Sequence, residues 1–301
     1  MHKNRIKALE DMCLMDRFLF AEYAAKKENL ELLLQIILGD DNLRLTDEVQ
    51  AEREFRSMPD KKQIRMDVYA RDEMGQAYDM EPQGHNSDNI LKRSRYYQGM
   101  LDTNLLETSH DYKQLPNSFI IFICDFDLLG EGLFIYTCGT ACKENGQVVD
   151  DGATRIFINT KGDRQKQQVS DELIELLRLF DKKSQVQREE LHSARVRDIR
   201  GRMEQIKKDK EVGMRYFMML DEKKEYAEEV TKELQDKIHV LHVKTEALQE
   251  KNNALSTKMY TIILSMCREM NLDKAETVHR LETQASMTHE DAVKFVASAW
   301  E

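Results

Sequence analysis

Residues 64–84 read IRMDVYARDEMGQAYDMEPQG, and their alternation decides the fold. Ile64, Met66, Val68 and Ala70 take every second place, with Arg65, Asp67 and Tyr69 between them, which is the period of a strand with one buried face. A turn holding Gly75 follows, then a second segment over 77–83, so the stretch predicts a β-hairpin. Asp67 lies on the side away from Ile64, Met66 and Val68, while Glu81 and Gln83, two apart, share one face of the second strand. A turn near 72–75 sets Asp67 across from Glu81. Two hard oxygen ligands from separate strands are what a Mg²⁺ site with several retained waters requires, and such an ion activates a water and offsets charge growing on a phosphate. The same residues also read as ordinary solvated charges on the open side of a hairpin.

Upstream, Phe18, Leu19, Tyr23, Leu30, Leu33, Leu34, Ile37 and Leu38 recur at steps of three and four, predicting a helix over 16–38 that stops at Gly39, followed by a polar stretch to Lys62. Downstream come a helix over 89–107 and strands over 119–125, 132–138 and 154–159. Beyond Ser170 the chain reads as continuous helix. It includes a tract over 182–210 with ten Lys and Arg against five Asp and Glu, which reads as a DNA-facing flank or as a solvated helix of mixed charge. From Thr231 on, Leu234, Leu241, Leu248, Leu255 and Ile262 fall every seven residues, with Thr231, Ile238, Thr245, Asn252 and Met259 in the companion places. That is a five-heptad seam and predicts a homodimer through Thr231 to Ile262. A helix laying its stripe on its own domain is the alternative, because Lys237, Lys244, Lys251 and Lys258 have no acidic partners across a parallel seam. Residues 271–300 predict two short helices, the second opened by Thr288 with Asp291 three places on.

The whole composition agrees with a folded, helix-rich chain: 301 residues hold only 12 Gly and 3 Pro, and 33% are charged against 41% hydrophobic. The longest apolar runs, 119–124 and 133–136, are far too short for a transmembrane helix, and residues 1–10 carry no secretory pattern. Five scattered cysteines suit free thiols in a reducing, cytoplasmic setting; Cys138 and Cys142 make a zinc half-site with no second pair behind it. Eight histidines show no triad or ligand spacing, with His85 near Gln83 and His2 and His110 apart from any candidate group. A net charge of −10 and a pI near 5.4 oppose a protein that grips nucleic acid over a broad surface.

The hairpin, the basic aromatic segment LKRSRYYQGML at 91–101 and the strand SFIIFICDFD at 118–127 together resemble the PD-(D/E)XK nuclease family transposases, the Rpn-type recombination-promoting nucleases. KENLELLLQIIL at 27–38 looks like that family's opening segment, and RMEQIKKDKEVGMRYFMMLDEKKEY at 202–226 like the helical segment after its core. The resemblance implies an α/β fold with a restriction-endonuclease-like core, a mixed central sheet flanked by helices, over 1–168. A helical extension over 169–226 and a coiled coil with short C-terminal helices over 227–301 complete the expected organisation. It also implies a Mg²⁺-dependent DNA endonuclease, with Mn²⁺ as a substitute, associated with recombination or mobile elements. Asp67 and Glu81 match the acidic metal ligands, and the Pro82 carbonyl would add a third oxygen. Gln83 stands where the wider superfamily has lysine, so it can orient a water by hydrogen bonding but supplies no charge. Proline at 82 fits only on an edge strand or where the ladder bond is absent. Glu28 is the candidate acid from the first helix, with Glu22 and Glu31 nearby. Lys92, Arg93 and Arg95 match the segment that would meet DNA phosphates, and Tyr96 or Tyr97 is left for the core. Two other readings of the same fold are a DNA-binding protein whose site has lost turnover and an interaction protein whose active part is the coiled coil.

Overall fold

The computed structural model describes residues 7–55, 64–106, 109, 111–183, 186 and 188–300, in two units, Met1–Met219 and Leu220–Glu301. Glu107, His2 and His110, which figure in the expectations above, lie outside the described residues.

The first unit opens with α1 (Arg17–Ala24) and α2 (Lys27–Leu38) where one helix is expected. The break lies at Lys26, whose backbone is extended, and buried Asn29 explains it: Nδ2 donates to the Tyr23 carbonyl at 2.7 Å, closing the end of α1, and Oδ1 accepts from Arg202 at 2.7 Å. Gly39 ends α2 in the left-handed region, φ +67°, as its place in the sequence suggests.

The sheet follows: β1 (Leu45–Phe55), β2 (Ile64–Asp72) and β3 (Ala77–Gln83) form an antiparallel meander. After α3 (Ile90–Leu105), β4 (Ser118–Cys124) pairs parallel to β3. Next come β5 (Ile135–Cys138), a small hairpin of β6 (Thr140–Ala141) and β7 (Val148–Val149), and β8 (Ala153–Asn159), which inserts between β4 and β5. The order β1-β2-β3-β4-β8-β5 is thus a mixed six-stranded sheet. β1 falls in the stretch expected to be polar connection. Its polarity is that of an edge strand: LTDEVQAEREF meets only β2 and turns charge to solvent, which blunts an open edge and hides the strand from a hydropathy reading.

α1 and α2 pack against β1 and β2 on one side. On the other, α3 lays Ile90, Tyr97 and Leu101 over Ile120, Phe122 and Phe157, a core of fully buried aromatic and branched side chains. Beyond Ser170 the expected continuous helix is instead broken into separate pieces. α4 (Asp171–Phe180) is capped by the Ser170 hydroxyl, α5 (Ala194–Lys208) by the Ser193 hydroxyl, and α6 runs Lys210–Glu269. Up to Met219 these helices belong to the same unit as the sheet. The basic tract is largely spent inside that unit: Arg195 pairs with Glu172 and Asp41, Arg202 with Asp198, Arg200 with Glu204, and Lys207 donates to the Glu10 carbonyl. This is the mixed-charge helix of the two readings above.

In the second unit, α7 (Lys274–Ala285) and α8 (His289–Ala299) pack on the end of α6 around Ile263, Cys267, Leu281, Ala292 and Val296. The Thr288 cap is present, its hydroxyl accepting from Asp291 N at 3.3 Å. No helix among the described residues is long and apolar enough to cross a membrane.

Candidate active site

The hairpin register fixes the site. Val68 pairs with Met80 and Tyr69 with Asp79, so one step on Asp67 stands opposite Glu81, and the Asp67 N–H lies 3.4 Å from Glu81 Oε1. Both carboxylates are buried, at 6% and 4% exposure, which removes the solvated-charge reading. Each is met by a guanidinium from a helix. Arg17, the first residue of α1, pairs with Asp67 Oδ1; Arg93 of α3 reaches Glu81 Oε2 at 3.4 Å and Gln83 Oε1 at 2.6 Å. Arg93 is held over Phe122 and Tyr97, 4.8 and 5.7 Å from the ring centroids. The Gln83 amide is fixed at its other end as well, Nε2 donating to the His85 carbonyl at 2.7 Å.

β3 is an interior strand, so the proline is accommodated in the second of the two ways. Ala77 N donates to the Asn117 carbonyl and the Gln83 carbonyl accepts from Asp125 N, so the odd-numbered residues of β3 bond toward β4 and the even-numbered ones face β2. Pairing with β2 ends at Met80. Pro82, the next even residue, therefore turns its nitrogen and its carbonyl toward β2 past the last paired residue, at the place where its ring has no N–H to give the ladder.

A third carboxyl accompanies the pair. Asp79, two residues before Glu81 on the same face, is fully buried, and neither of its oxygens finds a hydrogen-bond partner among the described residues. Burial pushes the Asp79 carboxyl well above the usual range, reinforced by the charges of Glu81 and Asp67. Burial and the Asp67 charge raise Glu81 to about 8 against the pull of Arg93, and burial raises Asp67 against the pull of Arg17. Asp79 and Glu81 therefore keep protons near neutral pH that a bound cation would displace. Among the described residues no three His, Cys, Asp or Glu side chains converge as a ready-made metal cage. The donor set on offer is two facing carboxylates, with the Pro82 carbonyl on the side toward β2, which suits an ion that keeps several waters.

The remaining expected residues separate. Lys92 and Arg95 are exposed on α3 beside Tyr96, whereas Arg93 turns inward and Tyr97 joins the core. Arg93 is accordingly a residue of the carboxylate cluster, set apart from the exposed Lys92 and Arg95. Glu28, in the first turn of α2, lines a recess of about 420 Å³ with Arg202, Gln205 and Asp209, and shares none of the ion-pair or hydrogen-bond partners of Asp67 and Glu81. Its neighbours are structural: Glu22 pairs with Arg215 at 2.7 Å and Glu31 accepts from Leu45 N at 2.8 Å. Asp79 was open to a sequence reading through the period of two that links it to Glu81 and Gln83. Arg17 and Glu52, the latter 3.5 Å from Arg65 and 3.9 Å from Arg17, carry no local signal, and neither does Lys182, whose Nζ would stand 2.2 Å from a Cβ placed on Gly84 at the end of β3.

A family model described as PD-(D/E)XK nuclease family transposase matches residues 16–244, a span that takes in the whole sheet and every residue of this cluster. Neither a curated protein nor a solved structure matches the chain. With the mixed sheet and its flanking helices, the match makes the core restriction-endonuclease-like.

Proposed function

The chain belongs to the PD-(D/E)XK nuclease family transposases, and on that premise we propose that it is an endonuclease that hydrolyses DNA phosphodiester bonds with Mg²⁺, or Mn²⁺ in its place. One observation carries the proposal: Asp67 and Glu81 face each other, buried, one step beyond the last paired residues of β2 and β3. Asp67, Glu81 and the Pro82 carbonyl would hold the ion. When bound, the ion lowers the pKa of a coordinated water and offsets charge on the phosphate. Gln83 orients the attacking water through its amide, which Arg93 and the His85 carbonyl already hold in place. Arg17 and Arg93, which pair with the two carboxylates in the metal-free chain, would be placed to meet phosphate oxygens. Lys92 and Arg95 extend that contact along the exposed side of α3. Glu28 has no part in this assignment. We also assign the chain to a reducing, cytoplasmic setting, on its unpaired cysteines, and to a homodimer through the seam of α6.

A second reading has its own support. Both carboxylates are already paired with arginine and Gln83 carries no charge, which suits a DNA-binding protein whose site does not turn over. Incubation of supercoiled plasmid with the purified chain and Mg²⁺, Mn²⁺ or EDTA separates the two. Metal-dependent nicking that is lost in Asp67→Ala and Glu81→Ala is the expected result. DNA binding without cleavage under either metal would overturn the nuclease and leave the binding protein.

A further inference from the structure

We infer that the α6 seam joins two copies of this chain in parallel and in register, and that Asn252 and the row of lysines beside the seam set that direction. The inference rests on the proposed homodimer and adds its orientation.

The second unit covers its own apolar residues selectively. α7 and α8 close over Tyr260, Ile263 and Cys267, and Cys267 is wholly buried. The adjoining seam is left bare: Leu234, Leu241, Leu248, Leu255 and Ile262 are all more than half exposed. Apolar residues at every seventh place over five heptads, joined by Ile238 and Met259 in the companion places, fit a supercoiled partner helix better than a flat surface. The polar members of the pattern identify that partner.

In a parallel pair each companion residue meets itself, so Asn252 faces the partner's Asn252 and the two amides satisfy one another. In an antiparallel pair with all five heptads overlapped, companion residues meet leucine places, and Asn252 faces the partner's Leu241 with its amide unpaired. The lysines agree. Lys237, Lys244 and Lys251 precede companion places, so in the parallel pair they face the partner's His242, the partner's Gln249 and the partner's Ser256, none of them a carboxylate or a second lysine. In the antiparallel pair Lys237 meets the partner's Lys258 and Lys244 meets the partner's Lys251. Lys237 has an intrahelical carboxylate, Glu233 at 2.7 Å, but Lys244, Lys251 and Lys258 have no acid three or four residues away to offset that repulsion. The missing acidic partners are therefore a device against the wrong orientation as well as an absence of attraction in the right one.

Disulfide trapping in the full chain tests this. Thr231 and Ile262 are both exposed at opposite ends of the seam, so cysteine at either leaves the fold of the unit alone. A parallel pair brings two copies of position 231 within disulfide reach, while positions 231 and 262 on different chains stand about 46 Å apart. In a glutathione buffer, Thr231→Cys should cross-link to itself and, mixed with Ile262→Cys, should give no mixed dimers; the unsubstituted chain is the control for Cys267 and the other native thiols. Mixed 231–262 dimers in place of self-linked ones would overturn the parallel orientation and leave the homodimer standing. A monomer in sedimentation at tens of micromolar would overturn both.

Discussion

The two units break the usual rule of burial in opposite directions. The first hides charge, with Asp67, Asp79 and Glu81 all under 9% exposed on one hairpin, and the second shows hydrocarbon to water along five heptads. Neither arrangement is stable on its own terms: buried acids cost free energy until something positive joins them, and a bare seam costs free energy until something apolar covers it. In each place the protein has supplied part of the answer. Arg17 and Arg93 pair with two of the three acids, and α7 and α8 cover one side of α6. What is left over describes the missing component. We read the facing buried carboxyls as the proposed place of a small cation, and the heptad seam with its single Asn as the proposed place of a second copy.

The contrast can be broken most severely at the pair itself. Asp67→Ala or Glu81→Ala should reduce plasmid nicking to the level of an EDTA control, because each leaves one carboxylate where two are needed. Asp79→Asn is expected to act less strongly, since Asp79 hydrogen-bonds neither acid and reaches them only through its charge: a loss of about tenfold or less in cleavage, with the circular dichroism of the chain unchanged. Lys92→Ala and Arg95→Ala should weaken DNA binding alike on every sequence and flatten its salt dependence, a phosphate effect that leaves the metal requirement alone.

A smaller effect sharpens the account of the buried acids through pH. The folded chain holds a proton on Glu81 up to about 8, while the unfolded chain releases it near the ordinary value of 4.5. Between those limits the folded state binds more protons than the unfolded one, so the stability of the metal-free chain falls as pH rises through that window. Thermal melts should show Tm declining by several degrees across it, less so in Glu81→Gln, and added Mg²⁺ should offset the decline by binding the ionised folded state. On the other unit, Asn252→Leu should raise the melting temperature of the seam slightly and loosen its direction, so that the disulfide test begins to trap both orientations.

The parts of this molecule that obey a short period were legible before the structure. The hairpin, the facing of Asp67 and Glu81, the Gly39 stop and the seam all follow from spacings of two, three, four or seven. β1 was hidden because an edge strand spends its side chains on solvent and reads as a connection. The break between α1 and α2 was hidden because it depends on Asn29 meeting Arg202, 173 residues away. For the same reason the pairing of Arg93 with Glu81 and Gln83 had no local sign, and neither did Arg17. Asp79 was visible in the alternation of β3, yet only its complete burial separates it from an ordinary surface acid.

The central claim is that the Asp67–Glu81 pair binds a catalytic divalent ion, and Mn²⁺ binding followed by electron paramagnetic resonance tests it without relying on turnover. Titrated into the metal-free chain, Mn²⁺ should lose its free-ion signal at a site that Mg²⁺ competes for and that is abolished in Asp67→Ala and in Glu81→Ala. A chain that binds no Mn²⁺ above the pH at which Glu81 ionises, or variants that bind it as well as the parent, would contradict the account.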